Sequence, residues 1–415
     1  NLKIRFYTYE GIVEAVDIEN LTIFKGEVLG LVGETGCGKT VTSLSILNLI
    51  PNPGKIESGT ILFRGENLLE KNKRELMEIR GSKIAMIFQD PMSSLNPVFT
   101  VGEQLTRVIK LHQGSDKEEA NSKAMEMLRL VGLPHVGRVM KSYPHELSGG
   151  MRQRIMIAMA LSCKPDLIIA DEPTSALDVT TEAQILRLIR ELKERYGTSI
   201  LFVTHDLAVV AQICDRVAVM YAGQVVEIAG VNDVFARPLH PYTMALLEAM
   251  PKPEKRKRRL MVIGGTVPSL IKPPSGCRFH PRCSNSMEIC FKHRPKMIEA
   301  GHNHHVSCFL YGMLKVSQLK KHFPIKGSLF RAVGWIRAVD GVDFEVRKGE
   351  VFGLVGESGC GKTTLARLIL RLIEPTEGKI IFEGRDIVTL DGGEMRRIRR
   401  DMQIIFQDPY SSLDP

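Results

Sequence analysis

Two fifteen-residue segments, GEVLGLVGETGCGKT at 26–40 and GEVFGLVGESGCGKT at 349–363, repeat one another at an offset of 323 residues. A second pair, FQDPMSSLNP at 88–97 and FQDPYSSLDP at 406–415, recurs at 318, so the later copy is five residues shorter between its motifs. Solenoid repeats recur every 20–50 residues or so, roughly a tenth of this period, and two homologous domains are therefore expected. A length of 415 residues agrees with two or three domains, because one hydrophobic core rarely grows past about 250–300 residues. In each copy an apolar run, Val28–Leu31 or Val351–Leu354, reads as a strand leading into a glycine-rich turn and then a helix starting near Thr40 or Thr363.

That order is the G-x-x-x-x-G-K-[ST] arrangement of a phosphate-binding loop. Gly33, Gly36 and Gly38 permit a tight turn whose backbone N–H groups, with the following helix N-terminus, face phosphate oxygens; Glu34, Thr35 and Cys37 complete the turn. Lys39 brings a positive charge to the outer phosphates, and the Thr40 hydroxyl is a ligand for Mg²⁺. Gly356, Gly359, Gly361, Lys362 and Thr363 repeat the set. A nucleoside triphosphate is the expected ligand. Cys37 and Cys360 are read as ordinary small residues inside these loops.

Further along, PDLIIADEPTSALD (165–178) carries a buried-strand pattern at Leu167–Ala170 that ends in two acids. Carboxylates at the carboxyl end of a parallel strand lie where open α/β sheets bind ligands. Asp171 is expected to hold Mg²⁺ and Glu172 to orient and polarise the attacking water, since phosphoryl transfer is chiefly a matter of positioning and electrostatics. LSGGMRQR (147–154) places a serine and two glycines before a helical run, a second anion cradle or simply a capped helix. The strand SILFVTHD (199–206) delivers His205 just past its end.

These motifs together, with Gln89 after an apolar strand, resemble the nucleotide-binding subunit of ABC transporters, fully over 1–235 and in part over 313–415. The resemblance implies an α/β P-loop NTPase fold with a helical subdomain around LSGG. It further implies that Lys39 and Thr40 bind ATP and Mg²⁺, that Gln89 senses Mg²⁺, and that Ser148, Gly149 and Gly150 contact the γ-phosphate bound to an opposing domain. Glu172 becomes the catalytic base, Asp178 a contact across that interface and His205 the switch residue. An aromatic residue of the first strand is expected to stack on adenine, Tyr9 in preference to Tyr7. In the second copy Lys362, Thr363 and Gln407 take the corresponding places. FQDPMSSLNP, Met151, ARPLHPYTMALLEAMP (236–251) and GCRFHPRCSNSMEIC narrow the resemblance to oligopeptide and dipeptide importer ATPases. A region starting at Met313 resembles the partner ATPase of the same importers, so two ATPase subunits are expected head to tail. The expected boundaries are 1–235, a Cys-bearing extension at 236–312, and an incomplete second domain at 313–415.

Cysteine usage supports an extension of its own kind. Cys277, Cys283, Cys290 and Cys308, four of the eight cysteines, fall within 32 residues in the pattern C-x5-C-x6-C-x17-C. Such clustering suits a metal site, and thiolates fit Zn²⁺ or an iron–sulfur cluster. His280, His293, His302, His304 and His305 leave a mixed site open. The importer resemblance implies a [4Fe-4S] cluster on the four cysteines.

Composition restricts the rest. Hydrophobic residues at 44% and charged residues at 25% are ordinary for a globular protein, and no run of 18 apolar residues occurs, so the chain is not expected to cross a membrane itself. The net charge of +9 is dispersed apart from KRKRR at 255–259, which reads as a solvated linker, and no nucleic acid is expected as a partner. By resemblance the partners are two transmembrane permease subunits, an extracytoplasmic substrate-binding protein acting through them, and a second ATPase domain in cis or trans. Location at the cytoplasmic face of the cell membrane follows from the same resemblance. Peptides lead as cargo, with nickel, glutathione and oligosaccharides as alternatives within the branch. A soluble tandem ABC protein acting on ribosomes or DNA, and a regulatory module that binds without hydrolysing, are the rival readings. The chain opens on Asn1 and closes on Pro415 inside the second FQDP segment, so a longer natural sequence is expected.

Overall fold

The computed structural model describes residues 1–90, 94–175, 177–250, 263–326, 332–346, 350–382 and 385–406. The basic run 255–259 and Gln407 lie outside the described residues. The chain folds as two compact units, Asn1–Ser307 and Cys308–Pro415.

In the first unit, β1 (Leu2–Thr8), β2 (Gly11–Ile18), β3 (Val28–Val32), β4 (Gly54–Ser58) and the short hairpin of β5 (Leu62–Phe63) and β6 (Glu66–Asn67) precede β7 (Ile84–Ile87). After a helical region come β8 (Leu167–Asp171), β9 (Ser199–Thr204), β10 (Arg216–Tyr221), β11 (Gln224–Gly230), β12 (Ile298–Gly301) and β13 (His304–Val306). Among the described residues β2-β1-β4 form an antiparallel sheet, and eight strands form the main sheet in the order β12-β13-β11-β10-β3-β9-β8-β7. From β10 to β7 the neighbours pair in parallel. Both faces of these strands are covered: Val28, Leu29, Leu31 and Val32 of β3 and Ile200–Val203 of β9 are at most 1% exposed. Unbroken apolar runs such as VLGLV and ILFV reflect that two-sided burial, whereas a sheet wet on one face would alternate. Each fully buried aliphatic side chain contributes about 1.5–3 kcal/mol, so the central strands are the most strongly held part of the unit.

Helices cover the sheet and begin where sequence chemistry directs. The helix Val179–Tyr196 starts at Asp178, whose carboxylate accepts from the N–H groups of Thr180 and Thr181, and stops at Gly197 in the left-handed region. It lays Ile185, Leu188, Ile189 and Leu192, at helical spacing, into the core. A helical region of Val101–Gln113, Lys117–Leu130 and Gly149–Leu161 shares that core through Leu105, Ile109, Leu128 and Ile155. A reciprocal Thr100–Glu103 capping box opens the first of these and Ser148 caps the last.

Residues 236–250 and 263–307 are part of the first unit. β13 pairs antiparallel with β11, Glu227 opposite Val306 and Ile228 opposite His305. Glu227 is fully buried and accepts from the N–H groups of Leu239 and His240, at 2.8 Å each, and from His304 Nε2 at 2.7 Å. One carboxylate thereby ties three segments together.

The second unit contains β14 (Leu314–Lys326), β15 (Ala332–Val346), the helix Lys362–Ile369, β16 (Glu377–Phe382) and β17 (Arg385–Asp386), with sheet order β15-β14-β16-β17. Its core gathers Val316, Leu319, Val339, Leu365, Leu368 and Ile380. The strand expected at Val351–Leu354 is not formed: residues 350–356 have no regular structure, and Val351 and Leu354 are 99% and 47% exposed. In the first unit the equivalent strand β3 is held between β9 and β10, which lie at 199–221. Among the described residues no strand pairs with this apolar run, so no neighbouring ladder completes its backbone hydrogen bonds.

Candidate functional site

Four consecutive neighbours of the sheet, β3, β9, β8 and β7, are parallel and end together. Register places Val32 beside Thr204, Val203 beside Asp171 and Ala170 beside Ile87. The segments that follow these ends carry residues 33–40, His205, Glu172 and Gln89, so one edge of the sheet collects motifs that are far apart in sequence.

The loop after β3 is shaped by close backbone approach. Gly33 has φ +157°, and a Cβ there would stand 2.0 Å from the Met220 carbonyl oxygen; at Gly38, with φ +103°, it would stand 2.5 Å from that of Ala15. Only glycine fits either place. Lys39 is buried, and its Nζ donates to the carbonyls of Gly33 at 2.7 Å and Glu34 at 3.2 Å, drawing the ammonium over the turn. Cys37 is buried beneath it, and burial pushes its thiol pKa up against the opposing pull of Lys39, which favours the inert role expected for it.

At the ends of β8 and β7 the expected carboxylates meet their partners. The Thr40 hydroxyl donates to Asp171 Oδ1 at 3.3 Å, joining the first residues of the loop helix to the strand end. Asp171 is 2% exposed, and burial, with a contribution from neighbouring Glu172, raises its carboxyl above the ordinary value; the Thr40 hydrogen bond and Lys39 oppose this. A hard divalent cation offered this oxygen pair would relieve that penalty, so the donor chemistry fits Mg²⁺. Glu172 sits at φ +47°, a strained conformation for a side-chain-bearing residue, with its N–H bonded to the Val203 carbonyl. Gln89 Nε2 donates to Glu172 Oε2 at 2.9 Å, and His205 Nδ1 lies 3.2 Å from Oε1. Both oxygens of one carboxylate are thus oriented, by residues 83 and 33 positions away.

Ser148 Oγ accepts from the Met151 N–H at 3.3 Å as the N-cap of Gly149–Leu161. Among the described residues no hydrogen bond joins Ser148, Gly149 or Gly150 to residues 33–40. Gly150 is packed against Thr181, where a Cβ would stand 2.8 Å from Cγ2, whereas Gly149 faces open space. Asp178, whose carboxyl is held low first by the Thr181 hydroxyl and then by backbone N–H groups, occupies the N-cap of the next helix. Tyr9 lies in the β1–β2 turn and is fully exposed. Tyr7 is tied to Glu57 at 2.6 Å and approached by Lys55, which leaves Tyr9 the less constrained of the two rings.

Two residues of the extension reach the phosphate-binding loop without having been singled out in the sequence. Arg282 grips the Glu34 carboxylate through both guanidinium ends, at 2.7 and 3.1 Å, and Tyr242 Oη accepts from the Glu34 N–H at 2.9 Å. Tyr242, Tyr221 and Phe279 pack as one buried aromatic group with ring centroids 4.6–5.4 Å apart. Within the same turn, Arg278 donates to the Ala222 carbonyl and to Glu14. The only signal in the sequence is that both arginines lie between cysteines, in GCRFHPRC.

Cys277 and Cys290 are joined through a 2.9 Å backbone hydrogen bond from Cys277 N to Cys290 O, and burial raises Cys277 to about 11 and Cys283 upward as well. Cys308 opens the second unit. Among the described residues, no group of three or more His, Cys, Asp or Glu is placed to hold a metal ion; His304 is instead engaged by Glu227.

The second loop repeats the conformation of the first, with φ +159° at Gly356 and +98° at Gly361, and Lys362 Nζ donates to the carbonyls of Gly356 and Glu357 at 2.7 Å each. Gly359 and Thr363 complete that turn; Thr363 is exposed, and the expected Gln407 falls outside the described residues.

Known proteins match this arrangement. Residues 16–175 and 339–415 match the family described as ABC transporter. The chain belongs to that family. Residues 226–290 further match the oligopeptide/dipeptide transporter C-terminal region, so this family member carries the extension of that branch. A Sinorhizobium fredii protein described as "Probable peptide ABC transporter ATP-binding protein y4tR" is 52% identical over 74% of this chain and 93% of its own length. "Glutathione import ATP-binding protein GsiA" of Salmonella typhimurium is 43% identical over the whole of this chain, which spans 64% of that relative's length. The Escherichia coli K12 protein of the same name is also 43% identical, again with 64% of its length spanned. Among solved structures, an ATP-binding cassette described as dimeric, in a post-hydrolysis state bound to ADP and Pi, is 30% identical with a TM-score of 0.50, covering 56% of this chain and 99% of that one.

Proposed function

We propose that this ABC ATPase binds and hydrolyses ATP to power import of a peptide-class solute, a short peptide or the tripeptide glutathione. The observation that carries the reading is the Glu172 carboxylate, oriented through one oxygen by Gln89 and through the other by His205, beside the Thr40–Asp171 pair. Lys39 and N–H groups of residues 33–40 other than that of Glu34, which Tyr242 engages, hold the outer phosphates. Thr40, Asp171 and Gln89 hold Mg²⁺, which when bound neutralises phosphate charge. Glu172 accepts a proton from the attacking water, and His205 keeps that carboxylate aimed as the proton moves. Ser148, Gly149, Gly150 and Asp178 serve the ATP of an opposing domain, in cis or trans, a role supported by the exposure of Ser148 at a helix start and by the lack, among the described residues, of a hydrogen bond from it to residues 33–40. Gly356, Gly359, Gly361, Lys362 and Thr363, with Gln407, form the corresponding site of the second domain. Tyr9 stacks on adenine.

Two permease subunits, served by an extracytoplasmic binding protein, are the proposed partners, engaged at the cytoplasmic face of the membrane. Among the described residues no helix is long and apolar enough to cross a membrane. The cargo proposal rests on relatives named for peptide and for glutathione import. In cells lacking the gene, wild-type chain should restore uptake of labelled dipeptide or glutathione and Glu172→Gln should not; full restoration by Glu172→Gln would overturn the reading.

An iron–sulfur cluster held through Cys277, Cys283 and Cys290 of the first unit, three of the four cysteines expected for [4Fe-4S], is a finer proposal. It is supported by the soft donor chemistry of three thiols on one folded segment and by the matched C-terminal region. Anaerobically purified protein should then contain iron and acid-labile sulfide; zinc alone, or neither metal, contradicts it.

A further inference from the structure

The phosphate-binding loop carries an acid, Glu34, directly after Gly33 and with its backbone carbonyl 3.2 Å from the Lys39 ammonium, where an unpaired carboxylate would repel a triphosphate. Its charge is matched by a residue 248 positions later. Arg282, with its side chain 5% exposed, meets both carboxylate oxygens, donates through Nε to the Gly264 carbonyl at 2.9 Å and lies 5.7 Å from the Tyr221 ring centroid. The guanidinium is therefore fixed on several sides. The Glu34 N–H is also committed, to Tyr242, so both ends of this residue are turned toward the extension.

We propose that Arg282 is a positioning residue for ATP binding: it neutralises Glu34 and holds its carboxylate away from the phosphates, so that the extension, as well as the loop, sets nucleotide affinity. The inference rests on the ATP-binding reading above. A bidentate pair of this kind is geometrically specific, and removing its buried cationic member leaves the acid uncompensated beside the ligand. Losing the acid removes both the repulsion and the need for the arginine. The two substitutions should therefore differ strongly in effect, which a simple latch between segments would not produce, because a latch fails equally from either side.

The test is MgATP affinity by equilibrium dialysis with labelled ATP, on the full chain and on Arg282→Gln, Glu34→Gln and the double variant. Arg282→Gln should weaken binding about tenfold or more, Glu34→Gln less than about threefold, and the double variant should bind like Glu34→Gln. Unchanged affinity in Arg282→Gln overturns the proposal, as does a double variant as weak as Arg282→Gln, or a Glu34→Gln equally weak. Should Arg282→Gln prove insoluble, the double variant decides: soluble and binding supports charge neutralisation, insoluble contradicts it. A wild-type chain that binds no MgATP would instead sink the ATP-binding reading itself.

Discussion

Glu227 and His240 show how single side chains fasten the extension to the rest of the first unit. His240 is fully buried, its Nδ1 accepts from the Tyr242 N–H, and burial lowers its pKa to about 4, partly opposed by Glu227. A histidine depressed in the folded state binds fewer protons there than when unfolded, so its contribution is present above the unfolded value of about 6.5 and is lost as pH falls toward 4. The protein should lose about 3 kcal/mol from this group across that window, read as a drop in denaturant midpoint. His240→Asn, which retains an N-cap acceptor, should flatten the pH dependence; an unchanged slope would show that the imidazole does not titrate on unfolding. Lys39, Thr40, Asp171, Glu172 and His205 were legible in the sequence because each sits at a fixed offset from a glycine turn or an apolar strand. Arg282 and Tyr242 were not, since their meeting with Glu34 depends on folding across more than 200 residues, and neither belongs to a phosphate-binding pattern. The strained φ of Glu172 has no mark in the sequence either.

Strands differ from motifs in that their neighbours decide whether they exist. VLGLV at Val28–Val32 and VFGLV at 351–355 are nearly the same letters, yet the first is a buried central strand and the second is exposed and irregular. Apolar pattern alone named both as strands; the backbone partners on either side, β9 and β10 in the first unit, separate them. The glycine loops are less dependent on such support, because their shape is local, and both copies keep the same lysine-to-carbonyl contacts. Hydrogen exchange should therefore show strong protection of the amides at 29–32 and fast exchange at 351–355. Protection of both segments would contradict the difference between the two units.

For the whole chain, the order of the central strands turns four separated sequence motifs into one edge of one sheet, and that convergence was foreseeable from the parallel-strand character of the apolar runs. The inclusion of residues 263–307 in the first unit was not, because β12 and β13 are only four and three residues long, reading as loop in isolation. The proposed hydrolysis depends on the Glu172 carboxylate being oriented by Gln89 and His205 yet not needed for nucleotide binding. The most direct measurement is MgATP affinity and phosphate release on the same samples of wild-type and Glu172→Gln protein. Affinity should be preserved and turnover should fall by about 10²–10⁴-fold; turnover equal to wild type would contradict Glu172 as the group that takes the proton, and with it the site described here.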